Sequence, residues 1–332
     1  GALTEAELTK IVVQYKAVMA QSQEEQDANY GTLYQPIDDI LNFMISVLTP
    51  DAGYDETVLD SVTEDSVQDF YTWYRGNMKW MADQYGKTPE QKDYLEKKYS
   101  EIILPLQYES YGAWDTMIMY AETYSIVLAI LVGFICAGIF ADDFQTKADA
   151  VFFASKYGRS KAIKNKILAG VATTMIYWTG IVLLSAISFG IMGTSGMHTP
   201  YQMSEAYSIY IMTYGQYYAL TVACGYIASL LAASLAMLVA AKMHTISVAV
   251  CIPFFLYCLL PFIGRVLSSY TKVFNLIPTI LTNVEASVRV PLLYQIGTRV
   301  IRQVPLVMVM YTVLSIVLLP LIYRSFRRYG RA

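Results

Sequence analysis

The chain has 332 residues, of which 55% are hydrophobic and 15% charged, with a mean hydropathy of +0.38. Soluble domains carry nearer ~25% charged residues, so the composition excludes an ordinary soluble protein and indicates an integral membrane protein. The charge is divided unevenly. Residues 1–116 hold 21 of the 27 acidic and 8 of the 24 basic residues, a balance of −13, whereas residues 117–332 balance at +10. That asymmetry puts a boundary near Asp115 between an acidic soluble domain (1–116) and a membrane domain (117–332). All four cysteines (Cys136, Cys224, Cys251, Cys258) fall in apolar stretches, which leaves the soluble part no disulfide framework. The chain opens GALTEAEL, with no Met and no apolar h-region, and reads as a cut end without its own signal peptide.

Residues 1–116 read as a helical, tyrosine-rich domain. Thr4 and Glu7 have capping-box spacing ahead of Leu8, Ile11, Val12, Tyr15, Val18 and Met19. Pro36 suits a first helical position before Ile37, Ile40, Leu41, Met44 and Ile45. A third helix is predicted from about Thr63 to Tyr85, carrying Phe70, Trp73, Tyr74, Met78 and Met81. Thr88-Pro89-Glu90 starts a fourth that runs to about Ile103. Aromatic residues at this spacing read as core before they read as a binding site. Gly86-Lys87-Thr88 has the ending of a phosphate-binding loop, but position 81 is Met and the flank is helical, so no phosphate cradle is expected.

Five apolar spans follow: Met117–Phe140, Ile167–Met192, Ala206–Ala241, Thr245–Gly264 and Val304–Tyr323. The third is uncharged for 36 residues, longer than the ~20 that cross a bilayer, so its polar start, to about Gln216, is assigned to the interface. Pro253 and Pro261 predict a kinked fourth span. The connection at about 265–303 is patchily apolar and is expected to form a pair of short helices dipping into the outer leaflet. Basic residues mark 140–166, the Lys242 turn and the tail (Arg324, Arg327, Arg328, Arg331) as cytoplasmic. Residues 1–116 are then extracellular, and their export calls for one further span upstream of Gly1.

Within the spans, Gly225, Ala228, Ser229, Ala232, Ala233 and Ala236 form a small-residue stripe. It reads either as routine bundle packing or as a helix–helix or subunit interface. Glu122 is the one acidic residue inside a span, placed where its carboxylate reaches the outer interface. Gly193-Thr194-Ser195-Gly196 and His198 all sit in one turn, whereas a serine nucleophile needs its base on a separate rigid element. The chain is therefore not read as an enzyme.

The stretch Phe140–Lys166 carries six basic and three acidic residues between two apolar spans. Phe140, Phe144, Ala148, Val151 and Phe152 recur three or four apart, the spacing of an amphipathic surface helix at about 141–158, with a solvated loop as the other reading. Asp142, Asp143, Lys147 and Asp149 make its polar face. Gly158 suits a left-handed helix end, and Ser160 suits a cap for the following span.

A span ending in Phe140, an acidic pair, this helix, Ser155-Lys156-Tyr157-Gly158-Arg159-Ser160 and then Lys166 together resemble the type-2 ABC exporter permeases. The family's Gly-Thr corresponds to Gln145-Thr146 here. The resemblance implies an all-α membrane protein whose five transmembrane helices are the second to sixth of a six-span permease, with an α-helical extracellular domain. It implies that the 141–158 helix is the coupling helix, with Asp142, Asp143, Phe144, Lys147, Val151, Phe152, Tyr157, Gly158 and Arg159 in contact with an ATPase. It also implies two cytoplasmic ABC ATPase subunits that bind ATP and Mg, no cofactor in this chain, and a second permease copy or homologue. Membrane lipids are a further expected partner, and nucleic acid is not. The expected setting is a multi-pass cell-membrane protein of a Gram-positive bacterium, exporting a peptide, lipid or hydrophobic compound. The alternative is a receptor-like membrane protein whose outer domain senses a ligand or binds a partner.

Overall fold

The computed structural model describes residues 1–50, 55–266 and 274–329. Its packing divides the chain into two units. One comprises Gly1–Asp115, Thr194–Tyr217 and Val288–Arg302. The other comprises Thr116–Gly193, Tyr218–Ser287 and Gln303–Ala332.

In the first unit, Thr4 caps α1 (Glu5–Met19) by accepting from the Glu7 amide at 3.3 Å. The Glu7 carboxylate pairs with Lys10 at 2.6 Å, so only half of the expected capping box forms. Ser22 and Glu25 build a complete box on α2 (Gln23–Asn29). A π-helical turn, Tyr30–Tyr34, leads into α3 (Gln35–Leu48), which has Pro36 in its first turn. A short α4 (Val58–Ser61) precedes the predicted third helix, which is broken into α5 (Glu64–Val67) and α6 (Phe70–Tyr85), and Thr63 caps only the first of these two pieces. Thr88 caps α7 (Pro89–Ser100), which ends short of the expected Ile103.

Leu8, Val12, Leu41, Phe43, Met44, Phe70, Tyr74, Met78, Leu95 and Tyr99 are buried here, each large side chain contributing about 2 kcal/mol of apolar transfer. Trp73, expected among them, is 40% exposed. Buried carbonyls need donors, and tyrosines supply them across the chain breaks. Tyr74 donates to Ala206 O, Tyr99 to Tyr207 O at 3.1 Å, and Tyr207 to Val47 O at 2.8 Å. Residues 206–213 are thus fixed in this unit, and the helix of the third apolar stretch starts at Tyr214, close to Gln216, the expected end of its polar start.

The connection expected to form two dipping helices has a different make-up. It consists of a 3-10 turn (Pro278–Thr282), one short helix, and an antiparallel hairpin of β1 (Leu293–Ile296) and β2 (Arg299–Arg302) turned at Gly297. Residues 267–273 of that expectation lie outside the described residues. The hairpin is sewn into the first unit by Thr88 Oγ1, which donates to Gln295 Oε1 at 2.7 Å, and by Arg302 over the Tyr210 ring at 4.6 Å. Tyr294, Ile296, Val300 and Ile301 are aromatic or β-branched, the residue types that favour strand pairing.

The second unit is helical: α8 (Gly112–Gln145), α9 (Asp149–Ala154), α10 (Ile163–Thr173), α11 (Met175–Met192), α12 (Tyr214–Met243), α13 (Ile246–Phe254), α14 (Leu260–Val266), α15 (Glu285–Arg289) and α16 (Gln303–Arg328). Among the described residues five helical stretches are long and apolar enough to cross a membrane: Gly112–Gln145, Gly158–Met192, Tyr214–Met243, Ile246–Ile263 and Gln303–Arg328. The second stretch breaks at Thr174, whose hydroxyl donates to Val171 O at 2.6 Å. The fourth passes through a π-helical turn, Phe255–Leu259, directly after Pro253, as a proline-disrupted ladder requires.

Candidate functional site

The α8–α10 connection does not fold as the single amphipathic helix expected over 141–158. Apolar periodicity runs through Phe140 and Phe144, and α8 simply continues to Gln145, so Asp142, Asp143 and Phe144 end a span instead of starting a surface helix. The chain then reverses at Lys147, whose φ is 58°, a left-handed conformation costing about 1 kcal/mol for a residue with a side chain. The Ala148 amide caps the Asp143 carbonyl at 2.8 Å, and Thr146 Oγ1 caps that of Asp142 at 2.7 Å. Only six residues, Asp149–Ala154, form α9. The left-handed position expected at Gly158 is therefore taken by Lys147. Gly158 has a different job: a Cβ there would lie 1.8 Å from the Phe152 carbonyl oxygen. Ser160 donates to Tyr157 O at 3.4 Å and does not cap the next span.

Short as it is, α9 is held from three sides. Phe153 is buried, and Phe144, Phe152 and Phe153 pack around Phe326 of α16 at ring distances of 5.7, 5.9 and 5.2 Å. Phe144 also meets His244 at 4.0 Å and Tyr329 at 4.8 Å. Lys166, at the start of α10, pairs with Asp143 at 3.0 Å, the two side chains being 19% and 20% exposed. It also donates to Ile139 O and lies over the rings of Phe140 and Phe152. A lysine among the last carbonyls of α8 complements the negative helix end. Arg159 donates to Tyr329 O at 2.7 Å and Arg327 O at 3.2 Å, and stacks over Phe153 at 4.9 Å. The Tyr329 hydroxyl reaches Asp149 at 3.4 Å.

The nine predicted contact residues thus divide. Asp143, Phe144, Phe152, Gly158 and Arg159 build the seat, while Asp142, Lys147, Val151 and Tyr157 face outward. Val151 is 76% exposed, and Tyr157 is flanked by Lys156 and Lys161 at 5.5 and 4.8 Å. Sequence reasoning missed Phe326, Tyr329 and His244. The first two lie beyond the expected end of the last span at Tyr323, and only the continuation of its apolar face to Phe326 signals them.

His244 also has a left-handed backbone, φ 58°, in the turn between α12 and α13. Burial against Phe144 and Tyr329 pushes its pKa below the ordinary imidazole value, partly opposed by Asp149 and by a hydrogen bond that the ring donates to the Ala241 backbone. The unfolded chain then binds the proton more readily, so this contribution to stability is complete above the ordinary value and is lost as pH falls below it. The melting midpoint of the wild type is expected to drop further between about pH 7.5 and about pH 5.5 than that of His244→Gln. Parallel curves for the two proteins would refute that linkage.

The small-residue stripe is enclosed within this chain. Gly225, Ala228, Ser229, Ala232, Ala233 and Ala236 are all buried. A Cβ on Gly225 would come within 2.1 Å of Ser125 Oγ and 2.2 Å of Tyr177 OH, and those two hydroxyls are 3.0 Å apart. Tyr257 OH donates to Ala228 O at 2.9 Å. This is bundle packing, and a stripe so covered offers no face to a second subunit.

Glu122 has hydrogen-bond partners within the chain. Its Oε1 accepts the backbone N–H groups of Val284 at 2.7 Å and Glu285 at 3.0 Å, a carboxylate cap on the start of α15. Nothing in the local sequence of either segment indicates this pairing, which spans 162 residues. Ser195 donates to Ser110 O at 3.3 Å, and His198 is exposed.

Searches against protein-family models, curated proteins and solved structures found no match.

Proposed function

We propose that this chain is the membrane-spanning permease subunit of an ATP-driven ABC exporter, and that the Asp142–Tyr157 surface docks on a separate cytoplasmic ATPase subunit. The observation that carries this reading is the build of the α8–α10 connection. A short helix that exposes Val151, flanked by outward-facing Asp142, Lys147 and Tyr157, is tied to α8 through Phe144, to α10 through Lys166 and to α16 through Phe326, with Arg159 stacked on its Phe153. Such an element cannot be pushed without moving three spans, which is what converting ATPase closure into span movement requires. The resemblance of the 140–166 stretch to type-2 exporter permeases supports the same reading.

On this proposal the partner ATPases bind ATP and Mg, and this chain pairs with a second copy or a homologous permease. The 140–166 connection and the C-terminus face the cytoplasm, and the acidic N-terminal segment lies outside. The cargo is a peptide, lipid or hydrophobic compound.

The test is co-purification of tagged, co-expressed ABC ATPase subunits from the source genome with the wild type and with the triple variant Asp142→Arg, Lys147→Glu, Val151→Asp. All three positions are exposed, so the melting midpoint is expected to stay unchanged while ATPase recovery falls about tenfold or more. Failure of any ATPase to bind the wild type, or undiminished binding to the triple variant, refutes the docking assignment.

A further inference from the structure

The first unit contains a cleft of about 450 Å³ where the end of α1, α2, the Tyr30–Tyr34 turn and α3 meet. Its walls are preformed. The Gln14 side chain donates to Leu33 O at 2.6 Å, and the Asn29 side chain donates to Gln21 Oε1 at 3.1 Å, which pins the turn to α1 and its C-terminal end. One wall is aromatic: Tyr30 and Tyr34 stack with centroids 5.4 Å apart and planes 20° apart, and Tyr34 continues to Tyr15 at 6.4 Å.

Asp27, Asp38 and Glu56 line the remainder, and among the described residues no lysine or arginine lines it. These carboxylates are spread around the cleft. Among the described residues, no three His, Cys, Asp or Glu side chains are grouped so as to hold a metal ion. The volume suits a small organic molecule. Ring faces together with separated carboxylates suit an organic cation, whose charged group can meet a ring face and a carboxylate at once.

We propose that this cleft binds a small organic cation through an ammonium or guanidinium group, set against the Tyr30–Tyr34 wall and within reach of Asp38. The local electrostatics agree. Burial, followed by the charges of Asp39 and Glu56, raises the Asp38 pKa above the ordinary carboxylate value. Burial and then Asp38 push Tyr34 up to about 12. A bound cation relieves the like-charge repulsion that contributes to both shifts. The inference is independent of the docking proposal, since every residue it uses lies in the first unit.

Isothermal titration of the full chain in detergent micelles with spermidine, with arginine amide and with magnesium chloride tests it. Spermidine stands for a free polyamine and arginine amide for a basic side chain, so whichever binds more tightly identifies the source. The expected result is saturable binding of at least one with Kd below about 1 mM, weakened about tenfold by Asp38→Asn and by Tyr30→Leu. Tyr30 is 52% exposed, so that variant is expected to keep the wild-type melting midpoint and separates loss of the site from loss of the fold. Absence of binding by both organic cations, binding unchanged in both variants, or equal competition by magnesium at the same concentration each overturns the proposal.

Discussion

Lys166→Met is expected to destabilise the second unit by about 3 kcal/mol, because it leaves Asp143 as an uncompensated, largely buried charge. The loss does not measure the worth of the ion pair. Desolvating two charged groups costs nearly as much as their attraction returns, and removing one partner leaves that cost in place. The double variant Asp143→Asn, Lys166→Met removes the stranded charge and is expected to recover about half of the loss. Lys166→Arg keeps the cation near Ile139 O and Asp143 and is expected to remain close to wild type. Chemical denaturation of the three variants in micelles checks this ordering. A double variant less stable than Lys166→Met would show that the pair is not what holds the α8 end to α10.

Gly158→Ala is the second large effect. The added Cβ would meet the Phe152 carbonyl oxygen at 1.8 Å and its carbon at 2.9 Å, and backbone atoms cannot rotate away as a side-chain tip can. The expected cost is about 3 kcal/mol, at the upper end of overpacking penalties, and it falls on the turn that holds α9 in its seat. Limited trypsin digestion reads this directly, since Lys156, Arg159 and Lys161 flank the turn. Cleavage there is expected to accelerate severalfold in Gly158→Ala while cleavage in the first unit is unchanged. A digestion pattern identical to wild type would mean that the turn absorbs the methyl group, and that close approach of the backbone is not why glycine is required.

Much of the architecture was legible in the sequence because it follows from local chemistry. Thr88 before Pro89, and Pro36 before an apolar helical repeat, mark helix starts that depend on neighbouring residues alone. The five apolar stretches appear as five helices able to span a membrane because length and apolarity are properties of a contiguous segment. The errors share one cause, contacts between residues distant in sequence. Residues 206–213 are separable from the span by their polarity, but only the hydroxyls of Tyr74 and Tyr99 show which unit holds them. Periodicity from Phe140 to Phe152 cannot show the reversal at Lys147, because a left-handed residue interrupts a helix without altering the composition around it.

The candidate site divides in the same way. The residue types of the 140–166 stretch, its position between two spans and its mixed charge are all present in the sequence. Which side chains face outward was decided by partners on α10, α12 and α16. Val151 and Phe152 are adjacent in the chain, yet one is exposed and the other packs on Phe326. Glu122 and the start of α15 lie more than 150 residues apart, and no local pattern in either announces a carboxylate accepting two backbone amides. By itself, the sequence determined that the chain is helical, carries five membrane-length spans and is divided by charge near Asp115, because those are sums over neighbouring residues. The tertiary structure alone decided that the small-residue stripe is covered, that the acidic segment takes in Thr194–Tyr217 and Val288–Arg302, and that α9 is locked between three spans. Each of those depends on pairings whose two halves carry no local mark of one another.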